Sequence, residues 1–217
     1  MPVSLPSTEP SGDSVSRILA AAKDLFARHG YDHVSMNAVA EAAGVSKANV
    51  FHHFKSKDEL YVCSLRQACE ASRSSLDAME EGDGDAWQRI RRFVDEHLEH
   101  MLSHSRDSRL ILREVVENRP GTGQRLAQEV FRDNFNRLVA IIAECQREGA
   151  LRPDLDPVFI STLLLGANVF FFQSQEVMRH LDGVDFADEP SRYGAMFVDI
   201  LMRGAASGPV ANEGKKP

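Results

Sequence analysis

Acidic residues are abundant in this chain, 32 against 25 lysines and arginines, yet one stretch has none. From Ala42 to Lys57 the sequence AAGVSKANVFHHFKSK carries three lysines and two adjacent histidines within a protein of formal net charge -7. Other absences exclude whole classes. The three cysteines, Cys63, Cys69 and Cys145, have no CxxC spacing, and their odd number fits reduced thiols in a cytoplasm better than a disulfide framework. The first residues, MPVSLPSTEPSGD, offer neither a basic segment nor an apolar run, so no signal peptide is expected. The most apolar segment, Val158 to Phe172, is interrupted by Ser161, Thr162 and Asn168 and falls short of the about 20 residues that a bilayer crossing needs. No membrane insertion is expected. Phosphate-cradling glycine loops, His-Glu-x-x-His and Gly-x-Ser-x-Gly are all missing, which leaves no cofactor site and no support for an enzyme.

What is present reads as helix throughout, because no stretch alternates with period two. Ile18, Ala21, Ala22, Leu25 and Phe26 repeat at helical spacing, and Gly30 ends that helix. Ser35 and Ser46 are N-caps for two short helices, the second spanning Lys47 to His53. Ser56 with Glu59 forms a capping box for a long helix to about Met79, followed by the linker EEGDGD. Asp85 starts a helix with Trp87, Ile90, Val94, Leu98 and Met101 on one stripe. Two more are expected from about Arg106 to Glu117 and from Gly121 to Glu148, separated by Asn118, Arg119 and Pro120. Asp156 and Pro157 begin a helix through His180, and Asp188 caps the last, which ends near Gly204. The expected architecture is all-α: a disordered segment over 1–13, a three-helix helix-turn-helix domain over 14–60, a helical effector-binding and dimerisation domain over 61–204 entered through the long helix, and a disordered tail over 205–217.

The second and third helices carry the most restrictive spacing. Ala40, Gly44 and Val50 fall where a helix-turn-helix needs a small residue at the helix crossing, tolerance of positive φ in the turn, and an apolar plug into the core. Alone, that spacing would fit many helical hairpins; the basic, acid-free helix directly after it points to DNA. The run from Val34 to Leu60 then resembles the DNA-binding domain of TetR-type transcriptional regulators, through Ala40, Ala43-Gly44-Val45-Ser46-Lys47, the cluster Phe51-His52-His53-Phe54, and Ser56-Lys57 before Leu60. Upstream, Ala21 to Phe26, Gly30 and Tyr31 match as well. The remainder is similar only in helical character and length.

A recognition helix presents its N-terminal residues to base edges, so Lys47 and Asn49 are placed to read bases or the adjoining phosphate. Ser35, Ser46, His52, His53 and Lys57 would fix register on phosphate oxygens, and Asn37 and Phe51 join the same face. Tyrosine is usual in the family at Phe51, so one expected phosphate contact is lost with the hydroxyl. Residues 1–60 hold 6 basic and 7 acidic side chains, so one module binds double-stranded DNA weakly, and two on a homodimer would read a palindromic operator. The dimer surface is expected on the last two helices, because Val158 to Phe172 is apolar around most of its circumference.

Polar residues stranded on apolar stripes suggest where a small-molecule effector would sit. These are His97, Glu114 and Asn134, which either satisfy one another and nearby backbone or orient a ligand. A different reading takes His97, His100 and His104, within a roughly 60° arc of one helix, as the centre of a metal-binding protein. The apolar stripe centres beside His97 alone, which favours the regulator, a repressor released by its effector, and no metal.

Overall fold

A computed structural model of the chain describes residues 11–70, 73–81, 84–117 and 122–205. Within these residues there is no β-strand, and eleven α-helices follow one another: α1 (Ser11–His29), α2 (Met36–Ala42), α3 (Lys47–His53), α4 (Lys57–Glu70), α5 (Arg73–Glu81), α6 (Ala86–Ser103), α7 (Ser105–Glu117), α8 (Thr122–Leu126), α9 (Arg132–Arg147), α10 (Pro157–Met178) and α11 (Pro190–Ala205). A π turn over Ala127–Phe131 joins α8 to α9, and a 3-10 turn over Asp185–Asp188 precedes α11. The linker residues 82–83, the break at 118–121 and both chain ends, 1–10 and 206–217, lie outside the described residues.

Most boundaries follow the capping chemistry. Ser35 Oγ accepts from the Ala38 amide at 3.1 Å, Ser46 Oγ from Asn49 at 3.1 Å, and Asp156 Oδ1 from Val158 at 2.7 Å. Asp85 and Gln88 cap α6 reciprocally, each side chain accepting the other's amide at 2.9 and 3.2 Å. Ser56 Oγ takes the Glu59 amide, while Glu59 Oε2 reaches one residue further back than a standard box, to the Lys55 amide at 2.7 Å. Several expectations are corrected. Helix α1 begins at Ser11, inside the segment expected to be disordered to residue 13. Of the long fourth helix expected to about Met79, α4 and α5 are described, and residues 71–72 between them lie outside the described residues. The stretch 121–148 is not one α-helix, because the π turn intervenes, adding one residue to a turn and shifting the phase of the apolar stripe. Asp188 closes the 3-10 turn and α11 starts at Pro190. Trp87 is exposed, and the buried aromatic of α6 is Phe93.

Packing divides the chain into two compact units, and the boundary is not at residue 60. The first contains α1 to α4 together with α7, α8 and the π turn; the second contains α5, α6 and α9 to α11. In the first, Ile18, Ala22 and Phe26 of α1 meet Val39, Val50, Leu60, Leu65 and Leu110. Phe26 and Tyr31 both set rings edge-on to Tyr61, at 4.7 and 5.0 Å. Helix α7 is tied to α1 by Lys23–Asp107 at 2.8 Å and Arg106–Asp24 at 3.3 Å. In the second, Ile90, Phe93 and Val94 pack with Ile141, Ile142, Leu164 and Val198, and Arg137 of α9 bridges Asp77 and Glu80 of α5 at 2.6 and 2.5 Å.

Helix α10 corrects the expectation about length. It runs 22 residues and contains an 18-residue stretch with a mean hydropathy of 1.4, long and apolar enough by length and composition to cross a membrane. One face of it, Ile160, Leu164, Asn168 and Phe171, is buried in the second unit. Another leaves Phe159, Leu163, Phe170 and Val177 exposed, with Phe159 at 61% and Phe170 at 63%, and on α11 Ile200 is exposed at 71%. A helix with two apolar faces is thus half satisfied by its own unit.

Gly30 and Gly44 both take left-handed backbone, with φ +76° and +64°. An added Cβ would meet nothing within 4 Å at Gly44 but would lie 2.8 Å from the Arg113 guanidinium at Gly30. Both Gly30→Ala and Gly44→Ala should cost about 1–2 kcal/mol for the left-handed conformation. Only Gly30→Ala must also displace Arg113, so urea unfolding should rank it the less stable of the two; equal losses would exclude a role for that contact.

Candidate functional site

The acid-free segment starts at Ala42, the last residue of α2, and runs through a tight turn and α3 to Lys57, the first residue of α4. The turn closes on backbone bonds from Gly44 N to Glu41 O at 3.1 Å and from Val45 N to Ala40 O at 3.0 Å. Gly44 supplies the positive φ that this geometry needs. Val50 and Phe54 are buried and fasten α3 to the first unit, so the opposite side of α3 is presented to solvent. Of the residues expected at the DNA, Ser35, Asn37, Ser46, Lys47, Phe51 and His52 are exposed, while Asn49, His53 and Lys57 are half-buried. All nine of the residues expected at the DNA therefore belong to one unit. Ser35 and Ser46 spend an oxygen lone pair on capping, so the hydroxyl hydrogen is the part left to donate to an anion. Lys47 Nζ stands 5.9 Å from the Phe51 ring centre, and the His52 and His53 rings meet edge-on at 5.0 Å. Asn49 Oδ1 is enclosed without a hydrogen-bond partner.

Lys57 is held in place before any ligand arrives. Its Nζ lies 4.2 Å over the Tyr31 ring and 3.3 Å from the Asp32 carbonyl oxygen. Tyr31 donates its hydroxyl to Asp58 Oδ1 at 2.5 Å, and Arg125 Nη1 of α8 donates to Asp58 Oδ2 at 3.0 Å. The role of Tyr31, Asp58 and Arg125 in placing the lysine had no signal in local spacing, since Arg125 is 67 residues from Asp58.

Of the three residues expected at an effector, Glu114 belongs to the first unit and His97 and Asn134 to the second. Glu114 is buried in the first unit, where the Tyr61 hydroxyl donates to its Oε2 at 2.5 Å, so this carboxylate has its partner inside the core. His97 and Asn134 belong to the second unit, and Asn134 is half-buried and already partnered. His97 instead meets a residue noted in the sequence only as a break in an apolar run. Asn168 of α10 is fully buried, and its Nδ2 lies 3.0 Å from both the Val94 carbonyl oxygen and His97 Nδ1. A carbonyl only accepts, so the amide nitrogen must face Val94. His97 Nδ1 is then the second acceptor, and the imidazole proton sits on Nε2. The ring stacks on Phe93 at 5.4 Å. Burial, with the charge of His100 second, pushes the His97 pKa down from 6.5 to about 4. Asn168 Oδ1 has no partner. Its signal was available as the polar exception in the most apolar helix of the chain.

The three histidines do not converge. His97 is engaged with Asn168, His104 falls beyond the end of α6 at Ser103, and among the described residues no three His, Cys, Asp or Glu side chains could hold a metal ion together. The metal-centred reading has no support.

Comparison with known proteins agrees with this geometry. The family profile described as bacterial regulatory proteins, tetR family, matches residues 18–62, and the profile described as Tetracyclin repressor-like, C-terminal domain, matches residues 87–201. The HTH-type transcriptional regulator RutR of Escherichia coli K12 is 27% identical over 176 residues, covering 79% of this chain and 80% of that protein. Among solved structures, a protein of unknown function from Rhodococcus sp. RHA1 superposes with a TM-score of 0.73 at 21% identity, covering 94% of this chain and all of that one. A transcriptional regulator from Saccharomonospora viridis, in complex with choline, superposes with a TM-score of 0.68 at 21% identity over 91% of this chain and 100% of its own.

The buried imidazole makes stability depend on pH. In the unfolded chain His97 binds a proton near 6.5, and in the folded chain only near 4, so the unfolded state takes up protons first as the pH falls. The contribution is fully present above pH 6.5 and is lost between 6.5 and 4, up to about 3 kcal/mol. Chemical unfolding of the parent and of His97→Gln at pH 7 and pH 4.5 should show a steeper loss for the parent; parallel losses would mean that His97 titrates normally in the fold.

Proposed function

The chain belongs to the TetR family of bacterial regulatory proteins and is a DNA-binding transcriptional regulator, and from that premise we propose that it is a homodimeric repressor that leaves a palindromic operator when a small molecule binds its second unit. The observation that carries the reading is the solvent-facing side of α3. A chain of net charge -7 repels DNA as a whole, yet keeps a surface of lysine, histidine, serine and asparagine free of acid at the turn and helix that would enter a major groove. Lys47 and Asn49 read base edges; Ser35, Asn37, Ser46, His52, His53 and Lys57 fix position on the phosphates, and Phe51 lends apolar contact and a face for Lys47. The protein acts by binding rather than by catalysis, in the cytoplasm where the DNA is.

The dimer uses the second apolar face of α10 with its neighbour on α11. Phe159, Leu163, Phe170, Val177, Met196 and Ile200 leave more apolar side chain in water than a monomer's helices ordinarily do, and a second copy turning the same face inward covers both. Two heads then meet two half-sites, which roughly doubles the phosphate contacts that one weak module can make. The effector site belongs to the second unit, around His97 and Asn168, and Glu114 is left out of it because Tyr61 already answers its carboxylate. Ligand and operator oppose each other through a coupling of roughly 1–3 kcal/mol.

Base reading and phosphate contact separate by experiment. Asn49→Ala should relax preference at one symmetric operator position, costing about 1–3 kcal/mol against the matched base. Lys57→Ala should weaken every duplex alike and flatten the dependence on salt. Fluorescence anisotropy across operator and scrambled duplexes checks this, and equal binding by both variants and the parent would sink the assignment.

Assembly is tested on the exposed face. Leu164 and Phe171 are unsuited to it, since both are fully buried in the unit's own core and a charge there should unfold it. Phe170→Glu or Ile200→Glu should give a folded monomer with weakened operator binding, read by sedimentation and circular dichroism. Dimers that persist in both variants, or a monomeric parent at micromolar concentration, would refute this interface.

A further inference from the structure

Asn168 is the one fully buried amide of α10, and both hydrogens of its nitrogen are committed, to the Val94 carbonyl and to His97 Nδ1, each at 3.0 Å. Rotating the amide would set oxygen against the Val94 oxygen, so the orientation is fixed by chemistry. Its Oδ1 is left as a buried acceptor with no donor. Burying an unpaired amide oxygen is costly, and such a group in a native core calls for a partner. On the same face of α10, one turn before and one turn after, stand Leu164 and Phe171, both fully buried.

We propose that Asn168 Oδ1 is the anchoring acceptor of the effector site, and that the effector is a neutral, mainly apolar molecule that donates an N–H or O–H to it, such as an amide or a phenol. The proposal rests on the reading of this chain as a ligand-responsive regulator. The acceptor selects by chemistry: a carboxylate has only lone pairs to offer and would be repelled, and an ether or a tertiary amide of the same shape has no proton to give. The same burial that keeps His97 neutral also penalises a charged ligand. His97 acts as a positioning residue, accepting one amide hydrogen and so holding the oxygen at its post, with its ring seated against Phe93.

Matched probes test this in the full-length protein. Phenol is compared with anisole, and benzamide with N,N-dimethylbenzamide and benzoate, while the side-chain amide signals of Asn168 are followed by NMR. The signals are assigned by triple-resonance experiments and checked by their disappearance in Asn168→Leu, which removes the orphaned oxygen without opening a cavity. Phenol and benzamide should shift these signals and bind at least about tenfold more tightly than their masked or ionised counterparts, the loss expected when a buried acceptor is left unpaired. The preference should vanish in Asn168→Leu, and it should shrink in His97→Phe, which keeps the stacked ring but frees the amide; a merely structural histidine would lower stability and leave the preference intact. Signals unmoved by either donor, or moved equally by the masked probes, would overturn the proposal. A compound that releases the operator without touching Asn168 would also overturn it and leave the ligand-responsive reading standing, whereas a protein that binds no upstream duplex would fail that broader reading first.

Discussion

A single hydrogen bond in the core of the first unit determines much of what the rest can do. Tyr61 stands edge-on to Phe26 and Tyr31 and donates its hydroxyl to the buried carboxylate of Glu114, so one side chain joins α1, α4 and α7. An ionisable oxygen inside an apolar core is tolerable only when it is answered, and the Tyr61 hydroxyl answers one oxygen of Glu114. The register of α4 follows from that constraint. Lys57 lies one turn before Tyr61 on the same helix, above the Tyr31 ring, and Asp58 beside it is clasped by Tyr31 and Arg125. The Lys57 ammonium is therefore held by the Tyr31 ring beneath it as well as by its own flexible stem.

The parts of this architecture that were legible in the sequence are those governed by neighbours in the chain. Ser35, Ser46, Ser56 and Asp156 announced helix starts because a cap acts over two or three residues, and Gly30 and Gly44 announced stops and turns because positive φ is a property of one residue. Ala40, Gly44 and Val50 carried the helix-turn-helix for the same reason. What stayed hidden depends on partners distant in sequence. The grouping of α7 and α8 with the DNA-binding helices depends on Lys23–Asp107, Arg125–Asp58 and Tyr61–Glu114, each more than fifty residues apart. Trp87 fits the apolar stripe by number and yet is exposed, while Ala86 beside it in the first turn of α6 is buried. Glu114 and His97 both looked stranded by periodicity; one is satisfied by a tyrosine and the other by an asparagine that reads as an interruption.

Electrostatics and burial play separate parts here. The recognition surface is distinguished by what surrounds it, since three lysines would hardly stand out in a basic protein but do so against a net charge of -7. The second unit relies on neutrality instead. Around α10 its buried imidazole is held without charge and its buried amide carries none.

The two apolar faces of α10 have an effect on dosage. If the outer face is covered only by a second copy, part of the free energy that keeps each chain folded is supplied by association and varies with the logarithm of protein concentration. The population able to reach DNA and the population that stays folded would then rise and fall together. The sparse chain in a cell would be less stable than the concentrated one in a tube, and its turnover would track its own abundance.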